Sequence, residues 1–370
     1  MNSRCAGHLH RQQGHLARQN VCMNMSIPGP RSSGATPATP RGWRLAYLRT
    51  GWLAASLALL PAAATALDVQ GHRGARGLAP ENTLPAFEQA LDIGVTTLEL
   101  DVGVTADGVV VISHDPYLNP AITRDASGQW LKDKGPLVRS LTLAQLQAWD
   151  VGRINPDTAY GKTFSTQVPR DGTRIPTLAA LFALVKEREG RMGVAGARPV
   201  RFNIETKINP MQPDDTLAPE PFVAALLKVV RDAGLTQRVT IQSFDWRTLQ
   251  IVQKAEPALP TVYLSIQTAN TDNIRDGLWT AGLRIADHGS VPKMVKAAGG
   301  AVWSPNGGAV TQALVQEAQA LGLKVIPWTI NLPADMDRLI SWGVDGIITD
   351  YPDRLRDVMR QRGLPLPVRP

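Results

Sequence analysis

From Leu67 onward, eight short runs rich in β-branched and apolar residues alternate with longer amphipathic stretches. That alternation limits the chain more than any other feature, because parallel strands need a helical crossover between each pair. The candidate strands are Leu67–Gln70, Thr96–Val102, Val200–Lys207, Val239–Ser243, Thr261–Ser265, Ala301–Trp303, Lys324–Thr329 and Gly346–Thr349. Between them lie helical stretches such as Leu84–Leu91, Phe222–Ala233, Trp246–Lys254, Thr311–Leu321 and Ala334–Trp342. The first of these has Asn82 or Thr83 as its N-cap and tolerates Pro85 in its first turn. Eight such units predict an α/β fold, a (β/α)8 TIM barrel, which typically takes about 250 residues.

The surplus sequence falls between His114 and Ile175. Thr105-Ala106-Asp107-Gly108 reads as a turn and Val109–Ile112 as a strand running back, which together make a hairpin. Asp115–Arg174 then mixes turns with one helical piece, Leu141–Trp149, and reads as a small insertion after the second barrel strand. The 370-residue chain therefore divides into a leader at 1–66 and a barrel domain at 67–370, with the insertion at about 115–175.

The net charge of +7 is concentrated in the leader. Seven of the 39 basic residues, all arginines, precede Leu67, and no acid does, leaving 32 basic against 32 acidic residues in the remainder. A nucleic-acid partner needs basic side chains gathered on the folded domain, so nucleic acid is not an expected partner. Arg41, Arg44 and Arg49 precede the apolar run Gly51–Leu60, then Pro61 and Ala64-Thr65-Ala66, which is a secretory signal pattern with cleavage expected after Ala66. The run is too short to span a bilayer. An uncleaved amphipathic anchor is the competing reading. Both cysteines, Cys5 and Cys22, lie in the leader, so no disulfide framework or zinc site is available to the barrel. The expected location is periplasmic or secreted, with no stable membrane anchor after signal cleavage.

Alternation along a strand sends Leu98, Leu100 and Val102 to one face and Glu99 and Asp101 to the other. With the leucines against the helices, the two acids point into the barrel near its C-terminal mouth. The same parity sends Asn203, Glu205 and Lys207 inward on another strand. Three inward carboxylates need positive charge beside them, since an unpaired buried ion costs several kcal/mol. An all-carboxylate set favours a hard divalent cation, Ca²⁺ or Mg²⁺, while an ion-pair network with Arg73 and Lys207 is the alternative. His72 and His114 end strands beside these acids, where imidazoles suit proton transfer. His288 lies in a polar loop and reads as a structural hydrogen-bonding residue. Arg73 offers a planar fork for phosphate or for a carboxylate such as Glu81. Gly71, Gly74 and Gly77 match neither a P-loop nor GxGxxG, so no nucleotide is inferred.

The run from His72 to Thr83 (HRGARGLAPENT), with Glu99-Leu100-Asp101-Val102, Thr105-Ala106-Asp107-Gly108 and His114-Asp115, resembles the glycerophosphodiester phosphodiesterase family. Asn203-Ile204-Glu205-Thr206-Lys207, Gln242-Ser243-Phe244-Asp245, Pro327–Asn331 and Asp345–Pro352 resemble its later strand-end motifs. The resemblance implies a (β/α)8 barrel that hydrolyses small-molecule glycerophosphodiesters to glycerol 3-phosphate and an alcohol. It further implies that Glu99, Asp101 and Glu205 ligate Ca²⁺ or Mg²⁺ and that His72 and His114 are the general acid/base pair. Arg73, with Lys207 nearby, would hold phosphate, and Trp328 would line the glycerol pocket. Competing readings are a barrel phospholipase, with Trp130 or Leu131 on an apolar rim, and a non-catalytic glycerophosphodiester-binding protein.

Overall fold

The computed structural model describes residues 66–192 and 198–369. All of the leader except Ala66, and with it the signal-peptide reading and both cysteines, lies outside the described residues. The strands are β1 (Asp68–Gly71), β2 (Thr97–Val104), β3 (Val110–Ile112), β4 (Arg201–Thr206), β5 (Val239–Ser243), β6 (Thr261–Ser265), β7 (Val302–Pro305), β8 (Lys324–Val325) and β9 (Gly346–Thr349). Eight run parallel in the order β8-β7-β6-β5-β4-β2-β1-β9, and β3 pairs antiparallel with β2. The ring closes between β8 and β9 through backbone bonds, Asp345 N to Val325 O at 2.9 Å and Ile348 N to Pro327 O at 3.0 Å. The fold is the expected (β/α)8 barrel.

The strand expected over Lys324–Thr329 is regular only at Lys324–Val325. Pro327 has no N–H to give, yet Ile326 and Trp328 still donate to Trp303 and Pro305 at 3.0 Å, so the segment keeps its place in the wall. In the first crossover helix, Leu84–Ile93, Thr83 is the N-cap and its hydroxyl accepts from Ala86 N. Asn82 instead adopts a left-handed φ of 56° and is committed elsewhere.

Alternation along the strands assigns the faces. Leu98, Leu100, Val102, Phe202 and Ile204 join the main core between strands and helices, each stabilising by about 1.5–3 kcal/mol of apolar burial. Inside the barrel, Val262, Val302, Ile326 and Ile348 form a smaller apolar cluster with Trp328 packed on it. Beside it runs a ladder of amides. Asn203 Nδ2 donates to Gln70 Oε1 at 3.0 Å and Gln242 Oε1 at 2.9 Å, and Gln242 Nε2 donates to Glu99 Oε1 at 2.6 Å. Each polar group in the lumen thus has a partner, and the last is a carboxylate at the mouth.

The excursion between β3 and the helix Leu178–Met192 has its own small core of Leu118, Val138, Leu146, Val151 and Ile175. Its helical pieces are short, Leu143–Leu146 and Ala159–Thr163, with Thr142 and Thr158 as N-caps. The expected helix Leu141–Trp149 is therefore a single turn, closed by a capping box between Thr142 and Gln145. Trp130 is half-buried beneath Arg124, and Leu131 packs on the excursion's core, so neither provides an exposed apolar rim. Among the described residues no helix is long and apolar enough to cross a membrane.

Candidate active site

The strand ends converge as the alternation requires. Glu99 and Asp101 on β2 and Glu205 on β4 are buried, and each offers a carboxylate oxygen within 4.8 Å of the others. The parallel register places Asp101 directly opposite Glu205. Arg73, just beyond β1, holds the trio from one side. Its backbone N–H donates to Glu99 Oε2 at 2.9 Å, and its Nε lies 3.2 Å from Asp101 Oδ2. Lys207 holds the other side, with Nζ 2.8 Å from Glu205 and 3.8 Å from Asp101.

Two fixed cations are not enough. With Glu81, which accepts from Arg73 Nη1 at 2.7 Å, four carboxylates face Arg73 and Lys207, which leaves two negative charges unbalanced. Burial and then the neighbouring Asp101 push the Glu99 carboxyl well above its usual range, and burial likewise raises Glu205. Asp101 goes the other way: burial alone would raise it, but Arg73, His114, Lys207 and the Asn82 hydrogen bond together hold it low. An all-oxygen, buried trio in a cluster with excess negative charge fits a hard divalent cation, and the ion pairs with Arg73 and Lys207 coexist with that fit.

The two histidines flank the trio. His72 Nδ1 lies 2.7 Å from Asp350 Oδ1, so the ring presents its Nε2 to the mouth, 3.9 Å from Glu99 Oε2. Burial, then the charge of Arg76, lowers its pKa to about 4 against the opposing pull of Asp350. His114 stands just past β3, half-buried, with Nδ1 3.0 Å from Asp115 and Nε2 3.1 Å from Lys207 Nζ. Burial, then Arg73 and Lys207, lowers its pKa as well. Both imidazoles line one cavity of about 160 Å³ together with Arg73, Glu99, Glu205 and Lys207.

Of the remaining expected residues, Trp328 walls this cavity and stacks edge-on against Phe244, with centroids 5.3 Å apart. Glu81 does not reach it: its oxygens are taken by Arg73 and by the Tyr160 hydroxyl. The glycines of the first loop serve packing, since a Cβ on Gly77 would fall 2.3 Å from the Tyr351 ring. Several residues of the site carried no role in the sequence reading. Asn82 donates to Asp101 at 2.9 Å from its left-handed position, and Gln242 anchors Glu99. Asp350 holds His72 and Arg76 together, and Asn331 donates to its other oxygen at 2.7 Å. Gln242 and Asp350 sit inside motifs visible in the sequence; Asn82 gave the same signal as a helix cap.

A (β/α)8 barrel whose mouth gathers acids, imidazoles and fixed cations has the design of a barrel enzyme. Comparison narrows the class. Residues 72–354 match the family described as "Glycerophosphoryl diester phosphodiesterase family". A glycerophosphodiester phosphodiesterase of Caldanaerobacter subterraneus subsp. tengcongensis is 30% identical over 295 residues, covering 80% of this chain and 98% of its own length. One from Bacillus subtilis is 30% identical over 292 residues, covering 78% and 85%. A solved structure from Silicibacter pomeroyi, named for the same family, shares 38% identity with a TM-score of 0.71 over 82% of this chain and 96% of its own. An Oleispira antarctica phosphodiesterase solved with sn-glycerol-3-phosphate shares the fold at 22% identity and a TM-score of 0.56, covering 80% and 97%. The chain belongs to the glycerophosphoryl diester phosphodiesterase family. It is an enzyme of that class.

Proposed function

We propose that the protein hydrolyses glycerophosphodiesters to sn-glycerol 3-phosphate and an alcohol by two-histidine acid–base catalysis beside a divalent cation. The observation that carries this reading is the cavity shared by His72, His114, Glu99 and Glu205, with Asp101 among the trio behind it. Glu99, Asp101 and Glu205 would hold Ca²⁺ or Mg²⁺, which supplies Lewis-acid stabilisation of charge on the phosphoryl oxygens.

The side chains divide the remaining work. Each histidine has its Nδ1 tied to a carboxylate; His72 Nε2 faces the mouth, and His114 Nε2 meets Lys207 Nζ at 3.1 Å, so its proton exchange requires the lysine to turn to the phosphate. His114 also borders the wider groove beyond the cavity, which supports a role for it on the leaving-alcohol side as the proton donor. His72 then takes the proton from the nucleophile, either water or the glycerol 2-hydroxyl, which would give a cyclic phosphate that water then opens, and its lowered pKa keeps it unprotonated for that task. Arg73 and Lys207 offer fixed positive charge to the phosphate. Glu81 acts by holding Arg73 in place, and Trp328 walls the glycerol end. Incubation with glycerophosphocholine and Ca²⁺ or Mg²⁺ should release sn-glycerol 3-phosphate; no release across headgroups and metals sinks the reading.

The leader supports export to the periplasm or beyond, with the barrel domain beginning at Leu67 after signal cleavage. Expression in a bacterial host followed by N-terminal sequencing of the exported protein should return Leu67 first. Retention of the leader on a membrane-bound product would favour the anchor instead.

A further inference from the structure

Three buried amides link the floor of the barrel to its mouth, and Asn203 on β4 is the node between the other two. One hydrogen of its Nδ2 goes to Gln70 Oε1 at 3.0 Å and the other to Gln242 Oε1 at 2.9 Å. Its own Oδ1 accepts from the Thr240 hydroxyl at 2.8 Å. Each glutamine thus accepts at its oxygen and donates from its nitrogen to a carboxylate, Gln70 to Asp68 Oδ2 at 3.0 Å and Gln242 to Glu99 Oε1 at 2.6 Å. Gln242 lines the catalytic cavity. Asn203 lies two residues nearer the floor than Glu205, where the register pairs it with Thr240.

A side-chain amide has nearly the same shape either way round, so its partners decide which end is the oxygen. Were Gln242 reversed, its oxygen would face the Glu99 oxygen with no hydrogen between them, and its nitrogen would face the Asn203 donor. The other donor to Glu99 is the Arg73 backbone N–H, which has no second orientation, so the Gln242 amide is the reversible contact of this carboxylate. We propose that Asn203 is a positioning residue for the cation site: it fixes which end of the Gln242 amide meets Glu99 and so keeps that carboxylate set to ligate a divalent ion. The proposal rests on the cation reading above. All three side chains are almost wholly buried, so a misdirected amide leaves donors and acceptors unpaired where each costs most. Groups that orient a metal ligand from behind commonly change affinity by about 10- to 100-fold.

The test is calorimetric titration of Mg²⁺ and of Ca²⁺ into wild type, Asn203→Leu, Asn203→Ser, Gln242→Met and a double variant carrying both Asn203→Leu and Gln242→Met. Each Asn203 variant should bind roughly tenfold more weakly than wild type. Gln242→Met should lose at least as much, and adding Asn203→Leu to it should change little, because the asparagine acts through the glutamine. A misfolded fraction lowers the stoichiometry and leaves the dissociation constant of the folded fraction alone, so a merely structural role would not move that constant. Wild-type affinity in either Asn203 variant, or losses that multiply in the double variant, overturns the proposal while the cation site stands. Absence of binding of both ions to wild type instead removes the cation reading, and this proposal with it.

Discussion

Asp350 Oδ1 lies 2.7 Å from both His72 Nδ1 and Arg76 Nε. One buried carboxylate therefore fixes the tautomer of the imidazole and ties it to the loop that carries Arg73.

Replacing that carboxylate by an amide keeps the shape and loses the instruction. In Asp350→Asn the amide can donate to Nδ1, which would move the proton to Nε2 and point the wrong end of the ring at the substrate. Turnover should drop on the order of 10²- to 10⁴-fold. His72→Ala and His114→Ala should lose a similar factor. Steady-state kinetics beside a thermal melt check this: normal rates with an intact fold would free Asp350 or the histidine from its role.

The lowered pKa of His72 also makes a stability prediction. Below pH 6.5 the unfolded chain takes up a proton that the folded one refuses until about pH 4. The unfolded state thus binds more protons in this window, and folding stability falls as pH drops through it. The loss assignable to this one group is on the order of 3 kcal/mol. Urea unfolding of wild type and His72→Gln should give a constant difference above pH 6.5 and a shrinking advantage for wild type between 6.5 and 4. A difference that ignores pH would mean that His72 titrates alike in the folded and unfolded chain.

Lys207 competes with any cation bound by the trio, since its ammonium lies 2.8 Å from Glu205 and 3.8 Å from Asp101. Lys207→Met should therefore bind Ca²⁺ or Mg²⁺ several-fold more tightly by calorimetry, yet turn over more slowly. Glu205→Gln should weaken the same binding by roughly tenfold or more. Calorimetric traces unaffected by both changes would place the metal elsewhere.

Tyr160 reaches the centre from the excursion. Its hydroxyl donates to Glu81 and accepts from Arg76 Nη1 at 3.2 Å, joining the Arg73 and Asp350 sides. Tyr160→Phe leaves two buried groups short of a partner, each worth about 1–3 kcal/mol. We expect a raised KM and a drop in kcat of roughly tenfold. Unaltered kinetics would show that the insertion lends the catalytic groups nothing.

Much of this centre was legible because strand parity is strict: once Leu98 and Leu100 belong outside, Glu99 and Asp101 have nowhere to go but in. The same logic located Glu205 and Lys207, and the β2–β3 hairpin brought His114 alongside. What stayed hidden sits off the strands. Asn82 acts through a left-handed backbone that a sequence pattern does not announce, and Tyr160 acts from a one-turn helix of the insertion, 79 residues from Glu81. Asp350 follows an apolar strand, where position alone does not say which neighbour it will hold. The shortness of β8 had a visible cause in Pro327.

The excursion leaves the barrel after β3 and returns against the same strand, where Ile112 N donates to Pro176 O at 2.9 Å and Val111 bridges Thr177. Its two ends are thus stitched to each other before and after the detour, and His114 is seated ahead of it. A segment anchored in this way is a cassette: it can be lengthened, shortened or exchanged for another with little entropic penalty while the acids and imidazoles stay where the barrel put them. Selectivity and catalysis in this molecule are in that sense separately editable, joined where Tyr160, Thr166, Gln167 and Val168 bond to the first loop.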